Sequence, residues 1–498
     1  MQRILPTSPA QALFDVALTR LIEQRASAAL PPHTLMRRAG LATARLALAI
    51  APHANRIWIA AGPGNNGGDG LEAALHLRQW GKAVDVSLLG DVALLPDDAK
   101  HALARAQAAG VQIDATALDA HEAPDLAIDA LLGIGASRAP DAPMANLIAR
   151  LNSLPCPVLA VDLPSGLRAD TGQPLGVACV VADHTLSLLT LKPGLYTGSG
   201  RDHAGVVWLD ALEVDSAAGR PSAWLVGDPR ASMPARRHAQ HKGSFGDLAV
   251  VGGAPGMLGA ALLAARAAHA AGAGRVFVNL LGDEAMTHDP LHPELMFRSA
   301  WAKGEAEVLK ATTVVCGCGG ADAVRESLPR LLSLVPRLVL DADALNAIAA
   351  DAALQTQMRS RAGRGLVTVL TPHPLEAARL LKCTAAEVQS DRLAAAQQLA
   401  ERYTCVVVLK GSGTVVAAPA YRPSINPTGN ASLASAGTGD VLAGWLGGLW
   451  SQWEGQSADD NAFAAAVAAV FMHGAAAEST RRGPLRAADL IERMNALR

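Results

Sequence analysis

The sequence predicts an α/β protein of two domains, each built on a mostly parallel sheet covered by helices. Three observations carry this. The chain has 498 residues, too many for one ordinary domain and enough for two of about 220 to 280 residues. Short apolar runs alternate with helical stretches throughout, the pattern of strand–helix–strand units. Each half also carries its own glycine-rich segment between an apolar run and a helix.

In the first half, strands are expected at residues 56–61, 83–89, 126–132, 158–163, 184–189 and 205–209, with helices such as 71–80 and 144–151 between them. Several of these runs end in Gly, Asp or Pro, as strands do where loops build a site. The second half repeats the style without repeating the sequence. Its strands are expected at 248–251, 276–280, 313–315, 338–340, 367–370, 406–409 and 414–417, separated by Ala-rich helices including 262–271, 392–402 and 462–477. No fixed short period runs through the chain, which argues against a solenoid. The segment from Leu212 to Ala235, rich in Ala, Pro, Gly and Ser, marks the boundary. Domains are expected at 1–222 and 223–498.

Composition removes several function classes. Hydrophobic residues make up 50% and aromatics 3%, so Ala, Leu and Val fill large cores. A net charge of −2 gives no electrostatic case for nucleic acid or an anionic membrane. The six cysteines, Cys156, Cys179, Cys316, Cys318, Cys383 and Cys405, are scattered and suit a reducing compartment. Cys316 and Cys318 form a lone C-x-C without the partner pair that a metal centre needs. Pro6 and Pro9 fall where a signal peptide would have its apolar core. The stretch 462–477 is interrupted by His473 and Gly474 and falls short of the ~18 apolar residues that span a bilayer. A cytoplasmic protein is expected, and its Ala-rich helices suit a homo-oligomer.

The chemistry of the first half starts at Gly62-Pro63-Gly64-Asn65-Asn66-Gly67-Gly68-Asp69-Gly70. Glycines let the backbone approach a ligand closely, and the helix start that follows offers N–H groups to an anion. A plain strand–helix turn explains a lone G-x-G, but not two Asn and an Asp beside it. Two more strand ends carry acids: Asp129 before Gly133-Ile134-Gly135, and Asp162 before Leu163-Pro164-Ser165-Gly166. Acids at the ends of parallel strands converge on one crevice, although a lone Asp is more often a helix cap. Asn66, Asp129 and Ser165 offer only hard oxygen ligands, suited to an alkali or alkaline-earth cation.

In the second half, Gly437-Thr438-Gly439-Asp440 places backbone N–H groups for a phosphate at a helix start. Asp440 stands where a base could act on a hydroxyl next to that phosphate. A helix cap is the plainer alternative. Lys410-Gly411-Ser412-Gly413-Thr414 follows an apolar strand and reads alone as a hairpin turn. His373, in Thr371-Pro372-His373-Pro374, ends another strand, and Asp341 and Asp343 end a further one.

In the first half, GPGNNGGDG, DALLGIG, VDLPSGL and ADHTLSL…KPGLY resemble, in order across about residues 10 to 215, the epimerase domain of the NAD(P)H-hydrate repair family. The resemblance implies a Rossmann-like three-layer αβα domain. It implies that Asn65, Asn66, Gly67, Gly68, Asp69, Gly133, Ile134, Gly135, Ala136, Ser137, Arg138, Ala139 and Asp162 bind the hydrated dinucleotide. Asn66, Asp129 and Ser165 would hold potassium, and the R and S epimers of NADHX or NADPHX would interconvert. Asp162 is the candidate acid/base, on the chemical ground that a carboxylate near the ring can relay a proton. Arg37 stands where the family often has an acidic residue.

In the second half, HKGSFGDLAVVGG, PGMLGAALLAARAAHAAGAG, LDADALN, TPHPLEAARL, KGSGT and GNASLASAGTGDVLAG resemble the ADP-dependent NAD(P)H-hydrate dehydratase, on a ribokinase-like αβα fold. This implies that Ala260, Gly319, His373 and Asp440 contact the hydrate. Lys410, Gly411, Ser412, Gly413, Thr414 and Gly439 would contact the adenine nucleotide, with Mg2+ accompanying ADP. Two departures stand out: Leu375 replaces a Gly, and Cys316-Gly317-Cys318-Gly319-Gly320 replaces a Gly-Pro-Gly-rich loop. The expected function is epimerisation coupled to ADP-driven dehydration of the S form. The alternatives are a ribokinase-like small-molecule kinase fused to a nucleotide-binding domain, and a non-catalytic first half that serves as a ligand sensor or interaction module.

Overall fold

The computed structural model describes residues 1–114, 123–215, 219–233, 235–282, 286–453, 458–478 and 483–498. The chain divides into two compact units, Met1–Trp224 and Leu225–Arg498. Of the expected boundary segment, residues 216–218 and 234 lie outside the described residues.

In the first unit eight strands form one sheet, in the spatial order Gln2–Arg3, Val206–Asp210, His184–Leu188, Val158–Val161, Leu126–Ala130, Arg56–Ala61, Ala83–Leu88 and Gln112–Asp114. Gln2–Arg3 pairs antiparallel with Val206–Asp210, and the other described pairings are parallel. The central strands are buried on both faces, which is why they read as unbroken apolar runs. Alternate residues part to opposite faces. Ile57, Ile59, Leu126 and Ile128 join one core with helices Thr34–Ile50, Asn65–Gln79 and Asp97–Ala108. Trp58, Ala60 and Ala127 join the other with helix Ala142–Ser153. From Arg56–Ala61 the chain builds outward to Ala83–Leu88 and Gln112–Asp114, then returns on the opposite side as Leu126–Ala130. The loops after Arg56–Ala61 and Leu126–Ala130 therefore splay apart and open a crevice at the C-terminal edge.

The first glycine-rich segment differs from the expected loop: helix Asn65–Gln79 begins inside it, six residues before the expected start at residue 71. A Cβ on Gly67 would lie 1.9 Å from the Gly62 carbonyl oxygen. This glycine is needed for close approach of helix to loop rather than for a turn. Helices Val16–Ala29 and Thr34–Ile50 were not expected; the second buries mainly small residues, Ala39, Gly40, Ala42, Thr43, Ala44 and Ala47.

Nine strands of the second unit follow the order Met296–Phe297, Arg275–Leu280, Asp247–Gly252, Thr313–Cys316, Arg337–Leu340, Val367–Leu370, Val406–Leu409, Val415–Ala417 and Ser424–Ile425. Pairing is parallel up to Val406–Leu409 and antiparallel beyond it. One face packs Val250, Val315 and Val339 against helices Leu258–Ala270, Thr438–Trp450 and Ala458–Ala475. The other packs Val251, Val314 and Leu340 against helices Val324–Leu334, Ala342–Ala350 and Arg392–Tyr403. Helix Thr438–Trp450 lies tight on Leu258–Ala270: a Cβ on Gly444 would meet the Ala264 carbonyl oxygen at 2.0 Å. Here the strand order reverses between Asp247–Gly252 and Thr313–Cys316, the place where a parallel sheet commonly binds its ligand. Among the described residues no helix is long and apolar enough to cross a membrane.

Candidate functional site

The crevice of the first unit is a cleft of about 790 Å³. Asn65, Asn66, Asp69, residues 133–139 and Asp162 line it, together with Arg20, Glu23 and Lys192, to which the sequence assigns no role. Gly67 and Gly68 are not among its lining residues; both are buried within helix Asn65–Gln79.

Asp162 follows strand Val158–Val161 and has φ +68°. A non-glycine residue there costs about 1–3 kcal/mol and persists where its surroundings over-determine it. Those surroundings are visible. Lys192 Nζ pairs with Asp162 Oδ1, Leu188 N donates to the same oxygen at 3.3 Å, and Ile134 N donates to Oδ2 at 3.2 Å. Lys192 is fully buried and also donates to the Leu188 carbonyl at 2.7 Å and to Ser187 Oγ at 3.2 Å. The loop presses on this carboxylate: a Cβ on Gly133 would lie 3.2 Å from Asp162 Oδ2 and 3.3 Å from Asn66 Oδ1. Burial first, then the charges of Asp162 and Glu23, push the Asp69 carboxyl well above its ordinary range. Burial and Asp162 likewise raise Glu23. One carboxylate paired with a buried ammonium thus faces acids held toward their neutral form, a division that suits proton relay.

Asp129 and Ser165 lie fully buried behind the same loop. Asp129 accepts from Ser165 N at 2.8 Å, Ser165 Oγ at 2.6 Å and Leu131 N at 3.2 Å. Burial still lifts its carboxyl to about 6. Among the described residues no cationic side chain pairs with it. Asn66 is buried too, and its Nδ2 lacks a hydrogen-bond partner. A buried carboxylate without a counter-charge, in an all-oxygen donor set, fits an alkali cation.

In the second unit, Gly253, Gly317–Gly320, Asp341, His373 and Lys410 all follow the C-terminal ends of sheet strands. Asp440 stands in the first turn of helix Thr438–Trp450, whose cap Gly437 has φ +86°. Asp341 is buried and bound by Lys410 Nζ at 2.7 Å. Burial, then Asp341, raise Asp440 to about 6, while a hydrogen bond from the Cys318 thiol and the Lys410 charge pull the other way. Lys410 sits beneath the helix start: a Cβ on Gly439 would be 3.4 Å from its Nζ. A cation and free helix N–H groups stand ready for phosphate, with a carboxylate next to them.

Ala260 and Gly319 are brought together, since a Cβ on Gly319 would lie 2.9 Å from Ala260 Cβ. Lys410 to Thr414 form the turn between the antiparallel strands Val406–Leu409 and Val415–Ala417. The turn is braced by Arg392, which donates to the Leu409 and Lys410 carbonyls at 3.1 and 3.2 Å. His373 caps helix Pro374–Leu381, its Nδ1 accepting from Leu375 N at 3.1 Å, while its Nε2 lies 3.3 Å from Glu376 Oε1. Burial raises Glu376 to about 7. In the sequence, Asp341 and Glu376 are marked only by their position beyond a strand end.

A family model described as YjeF-related protein N-terminus matches residues 32–194, and one described as NAD(P)H-hydrate dehydratase matches residues 248–494. The bifunctional NAD(P)H-hydrate repair enzyme Nnr of Escherichia coli (strain K12) is 38% identical over 462 residues, covering 90% of this chain and 85% of that protein. Its counterpart in Vibrio cholerae is 38% identical over 478 residues, covering 93% of each. Among solved structures, the ADP/ATP-dependent NAD(P)H-hydrate dehydratase from Bacillus subtilis co-crystallized with ATP/Mg2+ is 29% identical, covering 54% of this chain and 94% of that one, with a TM-score of 0.45. The expected Rossmann-like and ribokinase-like αβα classes accord with the two family matches. With both domain types present in this order, and relatives of this identity matching about nine-tenths of its length, the chain belongs to the family of bifunctional NAD(P)H-hydrate repair enzymes.

Proposed function

We propose that the first unit interconverts the R and S epimers of NADHX and NADPHX, and that the second converts the S form to NADH or NADPH, consuming ADP and releasing AMP and phosphate. The observation that carries this most directly is the position of Asp440. It is a half-buried carboxylate on a helix start beside the Lys410 ammonium, where a base meets a phosphate-binding turn.

The hydrate carries a hydroxyl on the reduced ring beside nitrogen, and hydroxide is a poor leaving group. Asp440 takes the hydroxyl proton, and the oxygen attacks the terminal phosphorus of ADP, displacing AMP. The ring nitrogen then expels the new ester as inorganic phosphate, and loss of a proton from the adjacent carbon restores the dihydronicotinamide. Lys410 and the N–H groups at the start of helix Thr438–Trp450 offset the phosphate charge. Residues 410–414 and Gly439 hold the nucleotide, and Ala260, Gly319 and His373, with Asp440, hold the hydrate. Asp341, Asp343 and Asp440 supply hard oxygen donors of the kind that suits Mg2+ carried in on the ADP phosphates.

In the first unit, residues 65–69 and 133–139 hold the dinucleotide, with Asp162 at the reacting carbon. Inverting that centre breaks its C–O bond, the ring nitrogen helping the hydroxyl leave as water, and re-forms it with water from the opposite face. Asp69, held toward its neutral form, protonates the leaving hydroxyl, and Asp162, paired with Lys192, takes the proton of the incoming water. Asn66, Asp129 and Ser165 would hold potassium, which supplies a fixed positive charge under the loop of residues 131–139. We place the enzyme in the cytoplasm, where its free cysteines stay reduced, as a homo-oligomer; its Ala-rich helices serve the chain's own cores instead of an interface.

Product analysis tests this reading against a kinase. With the S hydrate and ADP, inorganic phosphate should appear in step with the reduced nicotinamide. A stable phosphorylated product without that recovery would favour the kinase.

A further inference from the structure

We propose that Cys318, Asp341 and Asp440 form a binding site for Zn2+ that shuts off the dehydratase while leaving the epimerase running. The inhibitory part of this rests on the reading of Asp440 as the base. The three side chains come from separate elements: the loop after Thr313–Cys316, the end of Arg337–Leu340 and the start of helix Thr438–Trp450. One ligand atom from each lies within 4.8 Å of the others. A tetrahedral zinc ion with sulfur and oxygen ligands needs those atoms about 3.3–3.8 Å apart, so a modest contraction closes the site.

The C-x-C pair supplies one ligand and not two. Cys316 packs in the core on one face of the sheet and Cys318 in the core on the other. The partners that the neighbouring sequence does not offer Cys318 are brought to it by the fold. Lys410 occupies Oδ1 of Asp341, leaving the second oxygen for an ion. Binding exchanges the Cys318 thiol proton for the metal, the proton going to solvent, with a water as fourth ligand. The resulting thiolate and two carboxylates are balanced in charge by Lys410 and the divalent ion. Mg2+ keeps to water, carboxylate and phosphate oxygen and does not use the thiolate; Zn2+ does. Cys318 is fully buried but Asp440 is partly exposed, so the ion has an approach from the Asp440 side. An ion held there ties up the carboxylate that must take the proton.

The test uses the full chain with Co2+ as a spectroscopic substitute for zinc. The expected result is one ion per chain with a thiolate-to-cobalt charge-transfer band. The band should persist in Cys383→Ser, which removes the exposed cysteine, and vanish in Cys318→Ser. Zn2+ should inhibit dehydration in wild type, EDTA equimolar with the zinc and in the presence of excess Mg2+ should restore it, and epimerisation should be untouched. The zinc concentration for half inhibition should rise at least about tenfold in Cys318→Ser, since losing even an outer-shell group costs a metal site that much. If Cys318→Ser does not fold, Asp440→Asn serves instead and should weaken cobalt binding at least about tenfold. A wild-type chain with no charge-transfer band, or a band that survives Cys318→Ser, overturns the proposal. The band needs no turnover, so it separates failure of the zinc site from failure of the dehydratase reading.

Discussion

Replacing Lys192 with Met tests what holds the epimerase carboxylate in place. The substitution keeps an unbranched side chain and removes the ammonium, with its bonds to Asp162 Oδ1, the Leu188 carbonyl and Ser187 Oγ. Breaking a buried pair by removing one partner costs about 3–5 kcal/mol. Asp162 retains the Leu188 and Ile134 N–H groups, so the loss should fall near the lower end, about 3 kcal/mol. That is roughly a hundredfold in opening equilibrium. Hydrogen exchange reads it locally: amides of Val158–Val161 and His184–Leu188 should exchange about a hundredfold faster, while those of Thr313–Cys316 in the second unit serve as the internal reference. Epimerisation should be lost under conditions where dehydration of the S form with ADP proceeds at the wild-type rate. Protection unchanged to within about 1 kcal/mol would refute the idea that Lys192 holds Asp162.

Three further outcomes follow from the geometry. Gly67→Ala drives a methyl into the Gly62 carbonyl at 1.9 Å and should cost at least about 1–3 kcal/mol by thermal unfolding, with epimerisation lost. Asp440 acts ionised and its carboxyl is raised to about 6. Dehydratase kcat/KM should therefore be full above that pH and fall about tenfold per unit below it, and Asp440→Asn should remove about 10²–10⁴-fold of the rate. Asp129 is also raised to about 6. Folding therefore loses stability as pH rises from the ordinary carboxyl value of 3.8 to about 6 and carries the full cost above it, and K+, which binds the ionised form, should stabilise the first unit more at pH 7 than at pH 5. Equal K+ stabilisation at both, or in Asp129→Asn, would count against that site.

What was legible in the sequence was what local pattern encodes. Strands buried on both faces, such as 56–61 and 406–409, read as apolar runs, and the acids Asp129, Asp162 and Asp440 mark the element ends where crevices form. What was not legible depends on residues far apart in the chain. Asn-Asn-Gly-Gly favours a turn by propensity, yet close contact with the Gly62 carbonyl makes it the start of a helix. Helix Thr34–Ile50 buries mainly Ala, Gly and Thr, residues that mark a core face less plainly than Leu or Val. Lys192 resembles a surface residue until Asp162, thirty positions earlier, is placed against it. Cys318 gained its acidic neighbours only when three separate elements met.

The most direct test of the central claim is to give the chain an equimolar mixture of R- and S-NADHX with excess ADP and follow recovery of the dihydronicotinamide absorbance. Wild type should recover all of the NADH with equivalent AMP and phosphate. Asp162→Asn should stall once the S form is consumed, and Asp440→Asn should recover almost none. Absence of recovery in wild type with either ADP or ATP, or full recovery in Asp440→Asn, would contradict the account.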